Sequence, residues 1–147
     1  MKKKILTWEL VGSVVIFLAG SLFHYIFEWS GAWRPVALMG AVNESTWEHL
    51  KLAFWPALIF ALVEYGVLRH MLHNFWIGKF LGLLTMPMVI SVLYYAYAAV
   101  WPKSNLAYNL AIFFLAALIG QWISFRFLFR DPNTHNYGIP ASTIMTQ

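Results

Sequence analysis

A chain of 147 residues with 61% hydrophobic and only 11% charged side chains is too apolar for a soluble domain, because a domain this small has too much surface to hide them. Its mean hydropathy of +0.63 points to lipid as the surrounding solvent. The net charge of +4 is spread over short flanks between apolar stretches, as helix-end anchors are, so no nucleic-acid partner is expected, and the lack of cysteine excludes disulfides and thiolate metal sites.

Four apolar stretches follow in chain order, at about 5–27, 47–68, 75–100 and 106–129. Each exceeds the roughly 20 residues that cross a hydrocarbon core of about 30 Å. Backbone polar groups in lipid must pair within their own segment, so each stretch is predicted to be a helix. The expected fold is all-α, an integral membrane four-helix bundle over residues 1–130, with a polar cytoplasmic tail over residues 131–147.

The first stretch opens on Lys2, Lys3 and Lys4 and passes through Ala19, Gly20 and Ser21, a pattern similar to a secretory signal peptide. Glu9 interrupts the apolar region, however, and the run continues through Leu22, Phe23, Tyr25 and Phe27, so a retained membrane helix is expected. The connection over 30–42 holds Trp33, Pro35, Val36, Leu38 and Met39 and is apolar enough to fold back on the bundle or lie in the interface. Pro56 and Pro87 fall inside the second and third stretches, where each is expected to kink its helix. Short connections near Met71–Asn74 and Pro102–Asn105 make consecutive helices antiparallel neighbours.

Orientation follows from the basic residues. An N-in, C-in arrangement puts Lys2, Lys3, Lys4, Arg69, Lys79, Arg126 and Arg130 on the cytoplasmic side and leaves Arg34, Lys51 and Lys103 opposite, as the positive-inside rule favours. Trp29, Trp33, Trp47 and Trp101 then mark the outer boundary, and Trp8 and Trp76 the inner one. The expected location is the cytoplasmic membrane, in multi-pass form.

The polar minority carries the functional candidates. The densest run is Asn43-Glu44-Ser45-Thr46-Trp47-Glu48-His49-Leu50-Lys51, at the outer start of the second helix. Part of it has a purely structural account: Asn43 suits an N-cap, Glu44 complements the helix dipole, Thr46 or Glu48 completes a capping box, and Glu48 pairs with Lys51. Glu48, His49 and Lys51 still exceed what a cap requires. The first helix ends at the same depth with His24 and Glu28, four apart and so on one face. A charge placed at the membrane centre costs about 2.5–3.5 kcal/mol, which turns such groups inward or toward neutralising partners. The expectation is one pocket formed by His24, Glu28, Glu48 and His49, with Asn43, Glu44 and Ser45 nearby and Tyr94, Tyr97, Tyr108 and Asn109 as further wall.

Two imidazoles with carboxylates form a competent donor set for zinc, iron or manganese. His24, Glu28, Glu48 and His49 are the candidate ligands, and Glu48, His49 and Lys51 the candidate catalytic groups, with Lys51 neutralising a carboxylate. The spacing alone is not diagnostic: Glu48 and His49 are adjacent, about 100° apart around a helix, and no second histidine completes an HExxH motif. Proton transfer by His24 or His49 needs no metal, and haem ligation by the two is disfavoured by the bulky aromatics around them. A second polar set, Glu9 and Glu64 with Arg126, lies toward the cytoplasm and is expected to neutralise itself, with Arg69 as a further partner. Gln121 and Ser91 are the only polar steps between the two sets, which keeps a small, oligomeric proton- or cation-coupled transporter as the second reading. A structural or accessory membrane subunit is the third.

The segments Leu22-Phe23-His24-Tyr25-Ile26-Phe27-Glu28-Trp29-Ser30-Gly31 and Asn43 to Lys51 together resemble a family of small bacterial membrane proteins of unknown function. Its members keep a histidine near the end of helix one and an NESxWEHxK-like opening of helix two. The resemblance implies a four-helix membrane protein and groups His24, Glu28, Asn43, Glu44, Glu48, His49 and Lys51 as one unit, without implying a substrate, cofactor or reaction.

Overall fold

A computed structural model of the chain describes residues 2–70, 72, 74–101 and 105–128. Lys103, Arg130, the tail over 131–147 and parts of the two short connections lie outside these residues. Four helices make up the fold: α1 (Lys2–Trp29), α2 (Thr46–Leu68), α3 (Phe75–Val100) and α4 (Leu106–Leu128). All four are long and apolar enough to cross a membrane. No strand occurs among the described residues. Both α2 and α3 continue through their prolines, Pro56 and Pro87.

The helices close into a ring. α1 packs on α2 and on α4, and α3 packs on α2 and, most extensively, on α4. The tight α3–α4 seam follows from two glycines that face each other: a Cβ on Gly82 would lie 2.6 Å from the Gly120 carbonyl oxygen, and one on Gly120 would lie 2.8 Å from that of Gly82. Small residues let the backbones meet where no hydrophobic drive separates helix from lipid.

Each helix turns one stripe inward at helical spacing: Ile5, Glu9, Gly12 and Ile16 on α1; Ala57, Phe60, Glu64 and Leu68 on α2; Phe75, Lys79, Gly82 and Met86 on α3; Ala117, Gly120, Ser124 and Leu128 on α4. The outward faces remain apolar, with Leu10, Leu18, Leu62, Val63, Ile77, Phe80, Met88 and Val92 exposed, an arrangement consistent with lipid contact. Two apolar clusters fill the interior. The larger joins Ile16, Ala53, Ala57, Phe60, Leu83, Met86, Ile90, Ala116 and Ala117, and the smaller joins Ile5, Leu68, Leu72, Phe75 and Leu128. In every stripe one polar residue falls between the two clusters.

The segment linking α1 to α2 positions the candidate site. α1 ends in a turn with Gly31 at φ 69° and Ala32 at φ 61°, where the Gly31 and Ala32 amides donate to Glu28 and Phe27 carbonyls at 3.0 Å. A short 3-10 turn, Arg34–Leu38, follows with proline at its start. As its composition led one to expect, the connection folds back: Lys51 Nζ donates to the Ala37 carbonyl and Trp55 Nε1 to that of Leu38, both at 2.7 Å.

Candidate functional site: two histidines and a glutamate at the loop end

The start of α2 is displaced from where Asn43 would have set it. Ser45 is the N-cap, its hydroxyl accepting from the Glu48 amide at 3.4 Å, while Asn43 Oδ1 accepts from the Ser45 amide at 2.9 Å and forms the turn before the cap. Glu48 occupies the acidic position of a capping box, but its carboxylate reaches past the cap to the Val42 amide at 2.9 Å and pairs with Lys51 at 2.6 Å. Glu48 and Lys51 are thereby engaged in clamping the connection onto α2, the pairing that their spacing of three anticipates.

With the cap at Ser45, Glu44 is free of the helix and reaches across to α1. Its Oε1 lies 3.4 Å from His24 Nε2 and its Oε2 lies 3.7 Å from His49 Nε2. The two imidazole centroids are 5.3 Å apart at an interplanar angle of 42°. The three donor atoms all lie within 4.8 Å of one another. His49 is oriented by the helix start: its Nδ1 sits 2.8 Å from the Ser45 carbonyl, an obligate acceptor, so Nδ1 carries a proton and Nε2 is the nitrogen turned toward Glu44. His24 packs edge-on to Tyr25, and its Nδ1 is buried without a hydrogen-bond partner.

A cavity of about 90 Å³ opens beside the trio, lined by His24, Tyr25 and Glu28 on one side and Val42, Asn43 and Glu44 on the other. A space of this size holds a few waters. Pockets that enclose organic ligands are several times larger, about 300–1,000 Å³. The site therefore accommodates an ion and its waters, or a small group, better than a bulky substrate.

The structure sorts the sequence candidates. His24, Glu44 and His49 come together; Glu28 lines the cavity but is not part of the trio; Glu48 and Lys51 hold each other. Tyr94, Tyr97, Tyr108 and Asn109 do not line the cavity; Tyr97 stacks on Tyr108 at 4.7 Å. Toward the other end, Glu9 and Glu64 meet, but around Lys79 instead of Arg126. Arg126 is exposed and lies over the Trp122 ring at 5.5 Å, and Arg69 donates from Nε to His70 at 3.1 Å. The cation count alone places Lys79 with the helix-end flanks; its place on the buried stripe with Phe75, Gly82 and Met86 is the periodic signal that marks it as inward-facing. Ser91 donates to its own helix at Pro87, and Gln121 is buried.

Taken together, four helices fit to span a membrane and a polar His/Glu site at one end define a small, potentially membrane-spanning four-helix protein. The chain belongs to the family of unknown function DUF6512, which it matches over residues 1–145. No curated protein and no solved structure matches it.

Proposed function

We propose that this is a multi-pass protein of the cytoplasmic membrane that binds one divalent transition metal, zinc foremost, at an outward-facing site made by His24 Nε2, His49 Nε2 and the Glu44 carboxylate. The observation that carries this reading is the donor spacing. Bonds of about 2.0–2.2 Å at tetrahedral angles put neighbouring donors about 3.3–3.6 Å apart, against 3.4 and 3.7 Å for the two imidazole–carboxylate separations. The two separations run to different oxygens of the one carboxylate, and all three donors lie within 4.8 Å of one another, so closing on one ion takes a rotamer adjustment of about 1 Å.

A two-histidine, one-carboxylate set leaves a fourth position open, the arrangement of catalytic zinc sites that activate water. The Ser45 carbonyl supplies the outer support that fixes His49, as ligating imidazoles usually require. Glu28 lines the adjoining cavity and would be the carboxylate available there as a proton acceptor if a metal were bound. This set differs from the four ligands expected from the sequence by taking Glu44 in place of Glu48 and leaving Glu28 beside the trio.

Calorimetric titration of the purified, chelator-stripped protein with Zn²⁺ tests the site. One equivalent is expected, with Glu44→Gln and His49→Ala each weakening binding by at least about tenfold. Unchanged affinity in the His24→Ala/His49→Ala double variant would overturn the reading. The side of the membrane is tested separately, aided by the absence of native cysteine. Ala32→Cys should react with an impermeant maleimide on intact cells and His70→Cys only after permeabilisation; the opposite result would place the site in the cytoplasm.

A further inference from the structure

A second cluster of ionisable groups, independent of the metal site, sits where all four helices meet. Glu9 is 2% exposed, Glu64 0% and Lys79 4%, and they come from α1, α2 and α3. Lys79 Nζ lies 2.7 Å from Glu9 Oε1 and also pairs with Glu64 Oε2. α4 contributes the Ser124 hydroxyl, which donates to Glu9 Oε1 at 3.1 Å. The apolar clusters above and below seal the junction: Ile5, Leu68, Phe75 and Leu128 on one side, and Ile16, Phe60, Leu83 and Ala117 on the other.

The charges do not balance. Two carboxylates face one ammonium, leaving one negative charge in excess. The other charged groups of the surrounding helices do not make up the deficit: Lys2, Lys3 and Lys4 on α1 are exposed, Arg69 beyond α2 is exposed beside His70, and Arg126 on α4 is exposed over Trp122. The hydrogen bonding is incomplete as well. Glu9 Oε2 and Glu64 Oε1 are buried without a hydrogen-bond partner, and so is Gln121 Nε2 on α4. A buried ion left unbalanced in an apolar interior is so costly that the site takes up a neutralising species.

We propose that Glu9, Glu64 and Lys79 form a proton-binding site, in which one exchangeable proton is shared by the Glu9/Glu64 pair and makes the four-helix junction electrically neutral. Both carboxylates face the one ammonium, Glu9 through Oε1 and Glu64 through Oε2, so the proton belongs to the pair. Uptake forms an O–H bond at one carboxylate oxygen of the pair with a proton drawn from water, and release returns the carboxylate; no other bond changes. A proton fits this place better than a metal cation. The ammonium already occupies the centre of the carboxylates and would repel a second cation, and a dehydrated ion would need several oxygen ligands that the sealing clusters do not supply. Release leaves Lys79 to balance two anions instead of one, so the proton changes how strongly α2 is drawn to α3. That coupling is what a proton-driven conformational change requires.

Infrared difference spectroscopy of the purified, metal-free protein in H₂O and D₂O reads the proton directly. The wild type at neutral pH should show a protonated-carboxyl stretch that shifts on deuteration. Glu64→Gln should abolish it. Glu9→Gln should abolish it too, because Glu64 must then ionise to balance Lys79, whereas a passive Glu64 acid would keep its band. Glu64→Asp retains the carboxyl and should retain the band, which covers the case in which the amide variant does not fold. A wild type with no such band, or a band that survives both single substitutions, overturns the proposal, as does neutralisation that appears only on adding Na⁺ or K⁺. Metal is absent throughout, so this result stands apart from the fate of the zinc site.

Discussion

The two polar clusters are built from similar side chains on opposite principles. The loop-end trio is local: Glu44 and His49 lie in one short segment and His24 on the adjoining helix end, and Glu44 is 83% exposed. The Glu9–Lys79–Glu64 cluster is assembled from three helices, with all three groups under 5% exposed. Water screens the first, so its groups keep their geometry at little cost and remain available to a ligand. Nothing screens the second, so each member is held by the others, and the fold depends on their charge balance. One region can lose a residue and keep its structure. The other cannot lose its counter-charges.

The largest expected effect tests that contrast at the buried end. Glu9→Gln/Glu64→Gln together would leave the Lys79 ammonium in the apolar interior with no anion, and breaking a buried pair in this way costs about 3–5 kcal/mol. Thermal unfolding in detergent should show it. Glu64→Gln alone, which leaves Glu9 to balance Lys79, should cost under about 1.5 kcal/mol. Equal losses from the single and double variants would mean that Glu9 does not balance Lys79 once Glu64 is gone and that the charge argument is wrong. Next in size is the seam that brings α3 and α4 together around this cluster. Gly120→Val should cost about 1–3 kcal/mol through overpacking against Met86 and the Gly82 backbone. An unchanged unfolding midpoint would show that the helices can separate without disturbing the junction.

At the loop end the effects move from stability to binding. Glu48→Gln and Lys51→Met remove the clamp that ties Val42 and Ala37 to α2. Neither residue is in the proposed metal-binding trio, so their loss should act by loosening the segment that carries Glu44. A weakening of zinc affinity by about 10–100-fold is the usual size for such supporting groups. No change in affinity would mean that the cap at Ser45 alone positions Glu44.

Four helices long and apolar enough to cross a membrane were readable because hydropathy and length decide them. The pocket was readable as a meeting of His24 with His49, since consecutive antiparallel helices bring their shared end to one depth. Which carboxylate joins them was not. That choice turns on whether Asn43 or Ser45 caps α2, and both are good caps. Moving the cap to Ser45 releases Glu44 from the helix and commits Glu48 to the first turn. Lys79 was misplaced for a different reason. Counting lysines for topology treats each as a helix-end flank, and only the register with Phe75 and Gly82 reveals that this one points inward.

The smallest expected effect is also the most discriminating. Glu44→Gln alters a largely exposed side chain whose contacts with the two histidines are worth little in water, and surface ion pairs typically contribute about 0–1 kcal/mol. The unfolding midpoint of the metal-free variant should therefore match that of the wild type closely. With zinc the two should part. A ligand at a hundred times its dissociation constant stabilises the folded state by about 2.7 kcal/mol, so zinc should raise the wild-type midpoint and leave that of Glu44→Gln nearly unmoved. A variant already destabilised without metal would show that the trio is a structural network instead of a binding site. A variant that zinc stabilises as well as it does the wild type would show that the ion sits elsewhere. The predicted pattern, silent without metal and defective with it, belongs only to a residue kept for its ligand.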